Sequence, residues 1–382
     1  MKILNICVNG AYTDGFSYHE NLLPKFHKVL GNEVVVLASK YEFNENGNLK
    51  KTDISNFIDS NGINVIRIDI KKNKSIRKKF KRFKYLYLNI ADIKPDIIFC
   101  HLFQFLDLSS VVRYVKKHPN VKLYIDNHAD FNNSGRNFLS KKILHGIIWK
   151  RLAHKALPYT EKFYGVTPAR VDFLIDVYKL PKEKVELLPL GADDEVVERA
   201  KKPKKISDKR KEYGIDSSEF VILTGGKIDH NKPQTVELMK AVNQLQDMNI
   251  KLLVFGAVSE ELKGQFDEQL SDKVKYIGWR KSDEIYNEFA VADLVVFPGL
   301  HSVLWEQAVG MGKPCIFKDI SGFHHIDLGG NCLFFEKDDI EEYKNKIREA
   351  FTKIDEMKII AEREGMKTFS YSEIAKKSID LI

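Results

Sequence analysis

Short apolar runs alternate with helix-length stretches along nearly the whole chain, and this alternation constrains the fold more than any other feature. Strand, helix and strand in succession is the unit that builds mostly parallel sheets covered by helices. In the first half, Ile3–Val8, Glu33–Ala38, Val65–Ile68, Ile97–His101, Lys122–Asn127, Phe163–Val166 and Val185–Leu187 read as strands. In the second, Phe220–Thr224, Lys251–Phe255, Val274–Ile277, Leu294–Phe297 and Cys315–Lys318 do. A chain of 382 residues exceeds one ordinary core and suits two such domains. Pro189-Leu190-Gly191-Ala192-Asp193 interrupts the pattern, and the charged segment ERAKKPKKISDKRKEYG after it reads as a linker. The expected class is α/β, with two Rossmann-like doubly wound domains, residues 1–200 and 201–382, and a boundary near Lys201.

Hydrophobic residues at 43% and charged residues at 30% are globular values, so the whole chain is expected to fold. No apolar run approaches the roughly 18 residues of a membrane span, and the first strand lacks the features of a secretory signal. The expected location is cytoplasmic, including the inner face of a membrane. Cys7, Cys100, Cys315 and Cys332 are far apart and read as core thiols. Neither a C-x-x-C pair nor a His/Cys cluster with metal spacing is present, so no metal site is expected. The net charge of +8 is uneven: Lys71–Lys84 holds nine basic residues with Phe80 and Phe83 among them. That stretch suits an anionic membrane surface or an acceptor pyrophosphate, or is a solvated face. No nucleic-acid module surrounds it.

Ligands of doubly wound sheets bind beyond the carboxyl ends of the strands, so the residues there are the candidates. The first strand runs into Asn9-Gly10-Ala11-Tyr12, either a plain turn or a loop whose glycine lets backbone approach a ligand. It is not G-x-G-x-x-G, which disfavours a nicotinamide cofactor. His101 and His128 stand at strand ends, the latter with Asp126 and Asp130 on either side. Such a histidine either contacts a sugar hydroxyl or is simply a satisfied residue at a loop start. Thr224-Gly225-Gly226-Lys227 through Lys232 follows a strand and precedes a helix opening at Pro233. Two glycines and two lysines at a helix N-terminus suit a diphosphate without a divalent metal. In Pro298-Gly299-Leu300-His301-Ser302, the turn backbone suits a sugar or phosphate. Glu306, about one helical turn on, either accepts hydrogen bonds from a ribose diol or caps local amides.

These residues together resemble the retaining nucleotide-sugar glycosyltransferases of family 4, whose two lobes face each other across a cleft in the architecture called GT-B. The resemblance covers nearly the whole chain. LLPLGADDEVV resembles the family's hydrophobic-NGVD segment, GGKIDHNKPQ its G-R-x-x-x-x-K-G segment, and FPGLHSVLWEQAVGMGKPCI its E-x7-E region. The resemblance implies sugar transfer from a UDP-sugar, or less favoured a GDP-sugar, to a glycan or lipid-linked acceptor in cell-surface polysaccharide assembly, with no cofactor required. It implies an acceptor-binding first domain, a donor-binding second domain, and a last helix that packs back on the first.

By resemblance, Lys227 and Lys232 hold the diphosphate, Glu306 holds the ribose, Gly10 and Gly226 border the phosphates, and His128 is the active-site histidine. Lys227 replaces the family's usual arginine and loses its bidentate fork. Pro298 stands where the first glutamate of E-x7-E belongs, so His301 with the Gly299–Ser302 backbone substitutes for that carboxylate, or turnover suffers. A nucleotide-sugar 2-epimerase of the same fold and a non-catalytic sugar-nucleotide-binding protein are the alternatives.

Overall fold

The computed structural model describes residues 1–44, 48–71, 80–131, 134, 139–230 and 233–381. Its described residues form two compact units, one of Met1–Pro189 with Ile374–Ile382, the other of Leu190–Glu373.

The first unit holds strands β1 (Lys2–Cys7), β2 (Glu33–Ser39), β3 (Tyr41–Phe43), β4 (Leu49–Lys51), β5 (Asn56–Ile58), β6 (Asn64–Ile68), β7 (Ile97–Cys100), β8 (Lys122–Asn127), β9 (Lys162–Gly165) and β10 (Val185–Leu187). Among the described residues eight of these form one sheet in the order β10-β9-β8-β7-β1-β2-β6-β5, and β3 pairs with β4. All pairings in the large sheet are parallel except β5 with β6. Its interior strands are buried on both faces, which is why they read as continuous apolar runs rather than alternating ones. From β1 the chain builds outward to β2 and β6, then returns to build β7 through β10 on the other side. The switch point between β1 and β7 places Asn9, Gly10 and His101 beyond the strand ends where a ligand crevice forms.

The second unit holds β11 (Phe220–Ile228), β12 (Ile250–Val258), β13 (Val274–Gly278), β14 (Leu294–Phe297), β15 (Cys315–Lys318) and β16 (Cys332–Phe335). The order is β13-β12-β11-β14-β15-β16, all parallel. Its switch point lies between β11 and β14, the two strands that lead into Lys227 and Pro298. The fold is thus α/β with two parallel-sheet Rossmann-like domains, as expected.

The division between the units falls after Pro189 and not near Lys201. The reason is the hydrogen bonding of Leu190–Ala200. Ala192 N–H donates to the Phe369 carbonyl at 2.7 Å, and Tyr371 N–H donates to Ala192 at 3.1 Å. Asp193 N–H reaches the Tyr286 hydroxyl at 3.0 Å, and the Asp193 carboxylate caps the helix Asp194–Ala200 through the amides of Glu195 and Val196. The charged segment read as a linker contains a second helix, Pro203–Glu212, whose proline occupies the first turn, where its missing N–H costs nothing.

The residues after Ile374 pack within the first unit. Ser378 Oγ lies 2.8 Å from His27 Nε2, the Tyr124 hydroxyl donates to Asp380 at 2.9 Å, and Lys377 pairs with Glu186 at 3.0 Å. All four cysteines are buried thiols at strand ends. No described helix is long and apolar enough to cross a membrane. Most of the basic stretch, residues 72–79, lies outside the described residues.

Candidate functional site

In the first unit, parallel strands β7 and β8 end side by side, which brings His101 next to Asp126 and His128. Asp126 is wholly buried, and its Oδ2 is the centre of a histidine cluster. His101 Nδ1 lies 3.0 Å away, His128 Nε2 3.4 Å away, and His19 Nε2, from the first turn of the helix His19–Val29, 3.4 Å away. Leu102 N–H donates to the other oxygen, Oδ1, at 2.8 Å. Burial alone would raise the Asp126 pKa, but His128 and His101 hold the carboxyl well below its usual value, so it is an anion at neutral pH. Burial pushes His19 down, against the opposing pull of Asp126. Asp130, the other carboxylate flanking His128, turns to Arg170 at 3.2 Å instead.

His128 also lines a cavity of about 400 Å³ together with Asn9, Gln104, His145 and Trp149. One wall is a polar relay. Gln104 donates to Asn127 Oδ1 at 2.7 Å and to the Tyr178 hydroxyl at 3.2 Å, and that hydroxyl lies 2.7 Å from His145 Nδ1. Hydroxyl and amide groups fixed in this way select hydrogen-bonding ligands over apolar ones.

Gly10 follows β1, and its carbonyl accepts from Ser39 Oγ at 2.8 Å. A methyl there would meet only Glu20 Oε1, at 3.8 Å, so the backbone is open at this position. The adjoining loop is pinned by Arg67, whose buried guanidinium donates to the carbonyls of Tyr12, Ser39 and Tyr41 and to Glu42.

In the second unit β11 runs on through Gly225, Gly226 and Lys227 to Ile228, paired with β12 throughout. The expected glycine-rich turn at a helix N-terminus is therefore a strand extension, and the next helix begins only at Gln234. The glycines serve close strand approach. A Cβ on Gly256 would lie 1.8 Å from the Gly226 carbonyl, and one on Gly225 2.2 Å from that of Phe255. Gly226 (φ 111°) and Gly256 (φ 120°) also have a backbone that side-chain-bearing residues rarely adopt. Lys227 is exposed, and its ammonium pairs with Asp229 at 2.9 Å. Lys232 lies outside the described residues.

Glu306 sits in the first turn of the helix Leu304–Gly310, fully buried. Its Oε1 accepts from His301 Nε2 at 2.8 Å and from His325 Nε2 at 3.2 Å, while Oε2 is buried and has no hydrogen-bond partner among the described residues. Burial opposes its ionisation, but the two imidazoles outweigh that and hold the carboxyl far below its usual value. His301 and His325 thus share Oε1 and leave Oε2 to other donors. His301, the residue expected to substitute for the first glutamate, is bonded to Glu306 itself. It packs against Phe323 and Trp305, and like Gly299 and Ser302 it is partly buried. A Cβ at Gly226 would come 3.5 Å from the Leu304 side chain, so the tip of β11 adjoins the Glu306 helix.

Sequence reasoning missed two members of these clusters. His19 lies nine residues from Gly10, the nearest candidate, and His325 is one of the pair His324-His325 on a segment with no other candidate, so no spacing marks either one.

Comparison with known proteins bears on the same segments. Residues 18–196 match the model described as Glycosyltransferase Family 4, and residues 219–353 match Glycosyl transferases group 1. Two solved structures share the fold over all of this chain. A glycosyltransferase from Rickettsia africae ESF-5 is 17% identical, with 97% of its length covered and a TM-score of 0.68. Anabaena HepE, solved in complex with UDP, is 18% identical, with 99% covered and a TM-score of 0.67. A UDP-GlcNAc 2-epimerase from Neisseria meningitidis aligns equally completely at 11% identity and a TM-score of 0.64. A search of curated proteins gives no match. The two family matches, each to a glycosyltransferase model and each to one Rossmann-like unit, make this chain a glycosyltransferase of the GT-B fold.

Proposed function

We propose that the chain is a retaining family 4 enzyme that transfers a sugar from a UDP-sugar to a glycan or lipid-linked acceptor in cell-surface polysaccharide assembly. The observation that carries this reading is Glu306: a buried carboxylate, ionised, with one oxygen that has no hydrogen-bond partner among the described residues, beside the switch point of the second sheet. A buried acceptor of that kind calls for a donor from a ligand, and a ribose hydroxyl supplies it. UDP is favoured because Anabaena HepE was solved with UDP, and in a second structure with UDP and glucose.

In this reading Lys227 and Lys232 bind the departing diphosphate, with Gly226 and the Gly299–Ser302 backbone around it. The Lys227 ammonium exchanges Asp229 for phosphate when the donor arrives. A charged donor aimed at a leaving group in a water-excluded site contributes about 3 kcal/mol to the transition state. Gly10 borders a donor phosphate. His128 contacts the reacting sugar, and the relay-lined cavity beside it receives an acceptor hydroxyl. The basic stretch from Lys71 to Lys84 rests on anionic lipid, with each residue near the surface worth about 1 kcal/mol.

Incubation with a panel of UDP-sugars and acceptor glycans, with products resolved by NMR, tests the reading. Release of UDP with a new glycosidic bond of unchanged anomeric configuration supports it. An isomerised sugar still attached to its nucleotide assigns the epimerase chemistry instead.

A further inference from the structure

The geometry points to a zinc-binding site formed by His19, Asp126 and His128 in the first unit. The ligand atoms are His19 Nε2, Asp126 Oδ2 and His128 Nε2, all within 4.8 Å of one another. Both imidazole nitrogens lie 3.4 Å from the carboxylate oxygen. Ligand atoms held about 2.0–2.1 Å from a tetrahedral zinc stand roughly 3.3–3.4 Å apart, so two edges of a coordination tetrahedron are already in place. Two imidazoles and one carboxylate are a donor set that suits zinc, and three protein ligands leave one position for water or substrate.

The surroundings supply what such a site needs. Three imidazole nitrogens crowd Asp126 Oδ2, more than one carboxylate oxygen with two lone pairs requires. A cation among them relieves that crowding, because the imidazoles then donate electron pairs to the metal instead of competing for the oxygen. Outer partners fix the carboxylate: His101 from one side and Leu102 N–H on Oδ1 from the other. Access is provided by His128, whose side chain is 23% exposed and faces the cavity of about 400 Å³. The three ligands come from a helix start and a strand end more than a hundred residues apart, and so no motif spacing announces them.

An ion at this point occupies His128, so zinc opposes the sugar contact that the transfer reading gives that residue. Its binding is measured without turnover and stands apart from that reading. The test is titration of chelator-treated protein with zinc ions in competition with a chromophoric chelator, followed by cobalt(II) substitution. Wild type is expected to take up one zinc per chain and to give the intense visible spectrum of a tetrahedral cobalt site. His128→Gln and Asp126→Asn should abolish uptake, and His101→Gln should weaken it by about 10- to 100-fold. His324→Gln, at an exposed histidine paired with Asp319, should leave it unchanged. Circular dichroism checks that each variant folds. His128→Gln alters a partly exposed side chain and carries the test if Asp126→Asn does not fold. Absence of uptake by the wild type overturns the assignment, as does uptake that survives in folded His128→Gln or a weak octahedral cobalt spectrum.

Discussion

The Nε2 of His301 lies 2.8 Å from Oε1 of Glu306, and His325 approaches the same oxygen from the other side at 3.2 Å. A carboxylate only accepts, so both imidazoles present N–H to it. Hydrogen bonds to a buried charge contribute about 1.5–3 kcal/mol, and losing one leaves the charge less compensated. His301→Ala and His325→Ala should each lower unfolding free energy by about that amount. Urea denaturation of both single variants and the double variant measures it. The double variant should deviate from additivity, because the two histidines share one oxygen.

Lys227 is exposed and, among the described residues, pairs with Asp229 at the surface, so it adds little to the stability of the apo protein. Lys227→Ala should leave the melting temperature within a degree or two of wild type yet weaken UDP binding. Lys232→Ala should weaken UDP binding strongly, and Lys78→Ala not at all. Calorimetric titration of the three variants checks the order, and equal affinities would place the diphosphate elsewhere.

Gly256 has no room for a side chain, since a Cβ would lie 1.8 Å from the Gly226 carbonyl. Gly256→Ala must push β11 and β12 apart or abandon φ 120°, at a cost of about 3 kcal/mol or more. A markedly lower denaturation midpoint is expected, against little change for Gly10→Ala, where the backbone is open.

Much of this was legible in the sequence. Strands that are buried on both faces announce themselves as apolar runs, and Lys122–Asn127, Leu294–Phe297 and Cys315–Lys318 fall where the runs predict, as does the partly buried Val185–Leu187. The short β3, β4 and β5 do not, because they are partly or wholly exposed and carry no apolar pattern. β16 also escaped: it is four residues long and only partly buried. The extension of β11 was hidden for a related reason. Gly225 and Gly226 look like strand breakers in isolation, and only their pairing with Phe255 and Gly256 makes them part of the ladder. The domain boundary was displaced because Pro189 and the charged run both read as breaks. Backbone bonds from Ala192 to Phe369 and Tyr371 decide between them.

Among the site residues, His128 and Glu306 could be found because each follows a strand end. His19 and His325 could not, because their roles come from neighbours distant in sequence.

Stability should fall in mild acid through His27. Burial, with His101 and His19 nearby, lowers its pKa from 6.5 to about 3. The folded form therefore keeps the ring neutral while the unfolded chain takes up a proton below 6.5, and ΔG of unfolding rises with pH across that window. This contribution is fully present above about pH 6.5 and is lost as pH falls toward 3, about 2 kcal/mol of it by pH 5. His19, also lowered, adds to the slope. His27→Leu should reduce the proton uptake on unfolding at pH 5 by about one, read from the pH dependence of urea midpoints.

Titration of UDP into wild type and Glu306→Gln tests the donor site most directly. The amide keeps the shape but removes the charge that accepts the ribose hydroxyl. Wild type should bind one UDP, and folded Glu306→Gln should bind it about 10- to 100-fold more weakly. Equal affinity in the two proteins, or no UDP binding by wild type, would contradict the assignment of Glu306 to the nucleotide.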